Sequence, residues 1–264
     1  VAYTTSTGIS QPVVYEGKNL TTCIARRRER HAARDLFKSE RKDLVELMRS
    51  FPVNVINAQW SYEFAWAAVD SGIPTLVTLR DHALAILKYH FDGYRFMRLI
   101  MNYIVLRRAR YLSTNSQYLF DLLSKKNRKK ACIIPNFYSK ALEEHSSAPG
   151  RKSNFILSVS NGFSRYKNIQ TGLRTFSIIK QKYPDLEYHL LGDDMGLGGA
   201  AHVYARKNKL TDGVRFIGKL PFNQVIRKIR KALVFLHPSR EESFGMSVLE
   251  SMVIGTPVVA GYRS

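Results

Sequence analysis

From residue 40 onward, short runs of β-forming apolar residues alternate with longer stretches whose apolar residues recur at helical spacing. The runs 53–58, 74–79, 111–114 and 132–134 are too short for helices and are bounded by Gly, Pro, Ser or Asn, which marks them as strands. Between them, 41–51 places Leu44, Leu47 and Met48 on one side, and helices are also expected at 62–70, 94–108 and 117–124, the last capped by Asn115-Ser116. A second series follows, with strands at 155–159, 188–191 and 214–216 and helices at 169–182, 202–209 and 222–232. Regular alternation of this kind predicts an α/β chain whose mostly parallel sheets are covered by helices on both faces. Residues 141–153 interrupt the pattern with polar and small residues and Pro149-Gly150. They read as a linker. The expected domains are therefore 1–142 and 154–264, joined through 143–153.

The most chemically specific segment lies near the end. An apolar run, 232–236, leads into His237-Pro238-Ser239 and then Glu242-Ser243-Phe244-Gly245-Met246-Ser247-Val248-Leu249-Glu250. A short helix is expected over 247–254, with Gly255 ending it in a left-handed conformation. The amides around 244–248 would lie at its start, without intrahelical partners and available to a phosphate oxygen. Gly245 lets a ligand approach the backbone closely. Glu250 could accept hydrogen bonds from a vicinal diol such as a ribose, and Glu242 could reach a sugar ring beyond the phosphate. Acidic residues at a helix start are also common for a plain reason, since they complement the dipole.

The whole string resembles the signature of the retaining glycosyltransferases of family GT4, which have the GT-B fold. Pro238-Ser239, then Glu242 to Glu250, then Gly255-Thr256-Pro257-Val258-Val259 carry the resemblance, with Ser247 where the family often has Pro. It extends back to residue 155. In the loop 160–168, Lys167 falls where the family places a lysine on the donor pyrophosphate, and Asn161 stands where an arginine is usual, leaving Arg165 as a substitute. Such cations stabilise charge on a departing nucleotide diphosphate. In the first half the match is looser. The segment Thr78-Leu79-Arg80-Asp81-His82 lies where the family often reads Thr-x-His-Asp, so Arg80 or His82 takes the cleft-histidine role. Pro135-Asn136 matches the end of the family's first domain.

The resemblance implies two Rossmann-like parallel-sheet domains facing across a cleft. It also implies a metal-independent, retaining transfer, of hexosyltransferase type, from a nucleotide-diphosphate sugar to a glycan or lipid-linked acceptor, as in polysaccharide or lipopolysaccharide biosynthesis. The donor is a substrate, and no further cofactor is expected. Glu242, Lys167, His82 and Arg80 would be the catalytic residues. Glu250, Phe244, Gly245, Met246, Ser247, Arg165 and Gly192 would hold the donor. The fold opens with a strand and a glycine-rich turn, whereas Val1 enters what reads as a later strand, and further strands and a crossing helix are expected after Ser264. The resemblance thus implies a fragment lacking both termini, with part of the acceptor site outside it.

Charge and composition bound the alternatives. The 264 residues carry 41 Lys and Arg against 21 Asp and Glu, a net +20, clustered at 26–30, 107–110, 125–130 and 227–231. Such a surface attracts polyanions. No aromatic-interleaved RNA motif or helix-turn-helix accompanies the clusters, so nucleic acid is not expected, and a peripheral contact with an anionic membrane or a phosphorylated acceptor fits better. No apolar run reaches membrane-spanning length, and Cys23 and Cys132 cannot form a disulfide framework or a zinc site alone. The expected setting is the cytoplasm, at the inner face of the membrane. Two rivals remain at this point: a GT-B-fold epimerase or phosphorylase, and a non-catalytic basic module for nucleic acid or membrane.

Overall fold

The computed structural model describes every residue except 52, 146–150 and 262–264, and all side chains within that set except 144 and 145. The chain divides into two compact units, Val1–Pro135 and Asn136–Ser264. The division falls ahead of the expected boundary at 142. The reason lies in the expected linker itself. Residues Lys140–His145 form a 3-10 turn, and Leu142, only 4% exposed, packs into the core of the second unit. Further on, the Ser153 amide donates to Lys231 O at 2.8 Å and Lys152 Nζ to Thr256 Oγ1 at 3.0 Å. One buried leucine and two polar ties thus fasten a segment that looks solvated by composition. The central linker residues, 146–150, lie outside the described set.

The first unit runs β1 (Ala2–Ser6), β2 (Val13–Glu16), β3 (Thr21–Arg26), α1 (Lys38–Ser50), β4 (Ile56–Gln59), α2 (Glu63–Ser71) and β5 (Thr75–Leu79). It continues through α3 (Ala83–Tyr89), α4 (Gly93–Arg108), β6 (Tyr111–Thr114), α5 (Gln117–Asp121), α6 (Lys125–Arg128) and β7 (Ala131–Ile133). Strands β4-β5-β6-β7 form a parallel sheet in that order, with Leu76 opposite Asn57 and Tyr111. A second sheet, β1-β3-β2, pairs β3 parallel to β1 and antiparallel to β2. Helix α1 buries Leu44, Leu47 and Met48, the expected side, in a core shared with Ala65, Ala67 and Ala68 of α2. Three small residues on α2 let the two helices approach closely. Across the sheet interior, Thr78 Oγ1 and Ser113 Oγ lie 2.8 Å apart, and Thr78 also reaches Asn57 Oδ1, so these buried hydroxyls stay satisfied. Ser116 caps α5 as expected, accepting from the Leu119 amide at 3.2 Å. Helix α5 ends at Asp121, however, and α6 starts separately after the Ser124 cap, whereas the sequence suggests a single helix to 124.

The second unit runs β8 (Phe155–Val159), α7 (Ile169–Lys182), β9 (Glu187–Leu191), α8 (Ala200–Lys207), β10 (Val214–Gly218), α9 (Phe222–Lys231), β11 (Val234–His237), α10 (Met246–Val253) and β12 (Val258–Ala260). All five strands are parallel, in the order β10-β9-β8-β11-β12. Strand alternation builds two cores. Tyr188 and Leu190 pack with Ile169, Leu173 and Phe176 of α7 on one face. Leu157, Leu191 and Phe235 pack with Ile226 and Ile229 of α9 on the other. Order reverses at β8, from which the sheet grows outward in both directions. That is the kind of switch point outside whose strand C-termini open α/β sheets hold ligands.

Candidate donor site

Two loops meet at the C-terminal ends of β8 and β11. The first, 160–168, leaves β8 and enters α7. The second, 238–245, leaves β11 and enters α10. Two hydrogen bonds clamp them together: the Asn168 side-chain Nδ2 donates to Pro238 O at 2.9 Å, and the Arg240 backbone amide donates to Tyr166 O at 3.0 Å. The Lys167 amide is held by Ser164 Oγ at 3.2 Å. This frame carries Lys167 to Glu242, 75 residues away in the chain, where Nζ lies 3.2 Å from Oε2. His237, at the end of β11 and 8% exposed, brings Nε2 within 3.3 Å of the same oxygen. That distance suits ion pairing with an imidazolium, but the alignment is not that of a hydrogen bond, since Nε2 has no such partner. Burial pushes the Glu242 carboxyl up, but His237 and Lys167 together outweigh burial and hold it down to about 2. Glu242 is therefore a fixed anion at neutral pH.

Helix α10 begins at Met246 and ends at Val253, one residue ahead of the expected 247–254 at each end, and Gly255 at φ +81° follows it in the left-handed region. Gly245 stands just before the helix at φ +81°, and a Cβ there would lie 3.3 Å from Glu242 Cγ. A side chain at 245 would thus be strained and would crowd the carboxylate. The amides of Phe244, Gly245, Met246 and Ser247 donate to no protein acceptor among the described residues. The Val248 amide departs from expectation, because it donates to Gly245 O at 3.0 Å in the tight first turn. Glu250, one turn in, is half-buried with no partner among the described residues, and burial raises its carboxyl above the ordinary value.

Arg165 is exposed on the first loop, and among the described residues it makes no ion pair or hydrogen bond with Glu242 or Glu250, so the geometry leaves it apart from the cluster. Gly192 sits at the end of β9 with φ +114°, and a Cβ there would fall 1.9 Å from Ser160 O. Its amide donates to Gly218 O at 2.9 Å. Its visible role is close packing of strand ends, which only glycine permits. Arg80 and His82 belong to the first unit, at the C-terminal end of β5. Arg80 Nε donates to Gln59 Oε1 at the end of β4. His82 caps α3, with Nδ1 accepting from the Ala85 amide at 3.2 Å. Between them, Asp81 accepts from Tyr62 Oη at 2.7 Å and Arg98 at 3.1 Å. The residue that sequence reasoning left without a role is His237; its position at the end of an apolar strand, next to Pro238-Ser239, is the signal that marks it. Among the described residues, no three His, Cys, Asp or Glu side chains converge as a metal site would require.

Comparison with known proteins places this geometry. Residues 140–263 match the family described as glycosyl transferases group 1. A D-inositol 3-phosphate glycosyltransferase of Pseudarthrobacter chlorophenolicus is 31% identical over 136 residues, 49% of this chain and 31% of that protein. An uncharacterised glycosyltransferase of Methanocaldococcus jannaschii is 25% identical over 86% of this chain and 58% of its own length. The chain thus spans from about a third to somewhat over half of these relatives. Among solved structures, sucrose-phosphate synthase from Thermosynechococcus elongatus superposes with a TM-score of 0.75 at 18% identity, covering 99% of this chain and 71% of that one. Anabaena HepE, in complex with UDP and glucose, gives a TM-score of 0.67 at 18% identity, covering 92% and 68%. The architecture is that of the GT-B glycosyltransferases.

Proposed function

We propose, from the match of residues 140–263 to the glycosyl transferases group 1 family, that the chain serves transfer of a sugar from a nucleotide-diphosphate sugar to a glycan or lipid-linked acceptor. The transfer is metal-independent and retains the anomeric configuration. The observation that carries this reading is the meeting of Lys167, Glu242 and His237 beside four open amides and the half-buried, unpartnered Glu250. One surface of one unit therefore offers a cation and N–H donors for a diphosphate, together with two carboxylates for hydroxyl groups.

The roles follow from the chemistry of each group. Lys167 neutralises charge accumulating on the departing diphosphate. The amides of 244–247 hold its oxygens or those of the sugar. Glu242, ionised and fixed, accepts from sugar hydroxyls, and His237 holds its carboxylate in place. Glu250 accepts from the ribose diol, and those two bonds compensate the cost of burying its charge. UDP and glucose, present in the complex of Anabaena HepE, make UDP-hexoses the first donors to test.

A thermal-shift panel of UDP-, GDP- and ADP-sugars tests donor binding. Proton NMR of the product, from the coupling of the anomeric proton, tests retention. A protein that shifts with no nucleotide, at concentrations well above those typical of donor affinities, would remove this reading.

A further inference from the structure

We infer that the outer face of α4, in the first unit, docks on an anionic lipid surface, an assignment that specifies the peripheral membrane contact expected from composition. Helix α4 carries apolar residues on its outer side as well as its inner one. Its inner side buries Met101 and Val105 but also turns Arg98 inward, where the guanidinium lies 3.8 Å over the Tyr62 ring and bonds Asp81 at 3.1 Å. Its outer side carries Phe96, Ile100, Tyr103 and Arg107, which spacings of four, three and four residues place in one stripe. Phe96 is 50% exposed and Tyr103 60%. Just before the helix, Phe91 is 88% exposed. A soluble surface helix normally presents charges there.

Beside the stripe runs a groove of about 490 Å³ of mixed character, lined by Leu106 and Leu122, by the polar Asp81, His82 and Asn102, and by the basic Arg107 and Lys126. From residue 83 to 130 the chain carries eleven Lys and Arg and only two Asp, with no Glu. Exposed aromatic side chains amid basic residues match the layering of a bilayer interface, where rings sit at headgroup level and cations meet lipid phosphates. Other occupants fit less well. A nucleic acid supplies charge but no apolar interior for the exposed Leu122, Phe91 and Phe96. A second copy of the chain brings another +20 and repels. Among the described residues no helix is long and apolar enough to cross a membrane.

The test floats the 264-residue chain with vesicles of phosphatidylcholine alone or with about 30% phosphatidylglycerol, near 0.15 M salt. The chain is expected to float with the anionic vesicles only. Joint replacement Phe91→Ser, Phe96→Ser and Tyr103→Ser should lower the bound fraction about tenfold. Arg227→Gln with Lys231→Gln, on α9 of the other unit, should leave it unchanged. Equal loss in both variants, or none in the triple variant, would show attraction by net charge alone and overturn the assignment. So would a dimer that the triple variant dissociates. A Phe96→Trp variant gives a reading free of folding concerns: its emission should shift blue with anionic vesicles, and an unmoved spectrum refutes the proposal. The thermal shift with UDP should survive in every variant, so failure of the donor reading and failure of this one are told apart.

Discussion

Replacing Lys167 by Met strips Glu242 of its ammonium partner while keeping most of the packing stem. The carboxyl is held at about 2 against an ordinary 4.5. At 1.36 kcal/mol per unit that difference corresponds to about 3 kcal/mol of preferential stabilisation of the anion. His237 supplies part of it and stays in the variant. The side chains of Lys167 and Glu242 are 22% and 28% exposed, so water recovers a further share. The expected cost is about 1.5 kcal/mol, equivalent to about 5 °C in the melting transition of the second unit. Its pH dependence has a definite sign. Glu242 titrates below its unfolded value, so the stabilisation is complete above about pH 4.5 and is withdrawn as the pH falls towards 2. The gap between wild type and variant should therefore be widest at neutral pH and close in strong acid. In the donor reading the same substitution removes a charge-assisted contact to the diphosphate, about 2 kcal/mol or roughly thirtyfold in Kd for UDP. Differential scanning fluorimetry from pH 2 to 8 and titration calorimetry with UDP measure the two effects. A melting temperature within about a degree of wild type at pH 7 would refute the ion-pair argument, and a UDP affinity within about twofold would refute the assigned role.

The remaining predictions concern individual contacts. Glu250→Gln removes a carboxylate whose burial is uncompensated, so the fold should hold or gain up to about 1 kcal/mol at pH 7 while UDP affinity drops; calorimetry and a thermal melt distinguish this from a simple loss of structure. That gain should fade below pH 4, because the raised carboxyl is protonated there in both folded and unfolded chains. Gly192→Ala places a Cβ 1.9 Å from Ser160 O at a φ that disfavours alanine, and should cost more than about 3 kcal/mol, visible as loss of cooperative unfolding or of soluble protein. Gly172→Ala brings a Cβ to 2.6 Å from Tyr188 Oη, which must leave its 2.8 Å contact with Ser158. It should cost about 1–3 kcal/mol in a denaturant titration. Tyr188→Phe should recover part of that loss, and strict additivity of the two changes would contradict the clash.

Much of the second unit was legible because its signals are local. Helix α7 runs over 169–182 as expected, since its apolar spacing is unbroken and Pro184 follows it closely. The bounds of α10 were legible to within a residue from Gly245 before it and Gly255 after it, whose positive φ the turns require. The opening strands were harder. Residues 1–26 are rich in Thr and Ser, and β1, β2 and β3 become strands through their mutual pairing and the burial of Cys23 and Ala25. Leu142 was hidden by polar neighbours, and Arg98 reads as an ordinary surface arginine until Tyr62 and Asp81 are brought beneath it. Each miss is a residue whose environment is assembled from distant parts of the chain.

The two glutamates show the same division within the site. In sequence Glu242 and Glu250 look equivalent, one at each end of a short helical string. In the fold their chemistry diverges, and the cause is long-range. Glu242 meets a lysine brought from the far end of α7's entry loop and a histidine from the end of β11, and becomes a fixed anion. Glu250 meets neither, and burial raises its carboxyl. A site that binds a sugar through one carboxylate and a ribose through the other gains from this difference. In the proposed donor site Glu242 is preorganised by the protein before any ligand arrives, whereas Glu250, which has no hydrogen-bond donor among the described residues, would gain them from a diol. The binding energy released at Glu250 then depends on the nucleoside, while that at Glu242 does not. Deleting the ribose hydroxyls should therefore weaken binding to the wild type and leave binding to Glu250→Gln nearly unchanged, a coupling that a double cycle between ligand and residue reads directly.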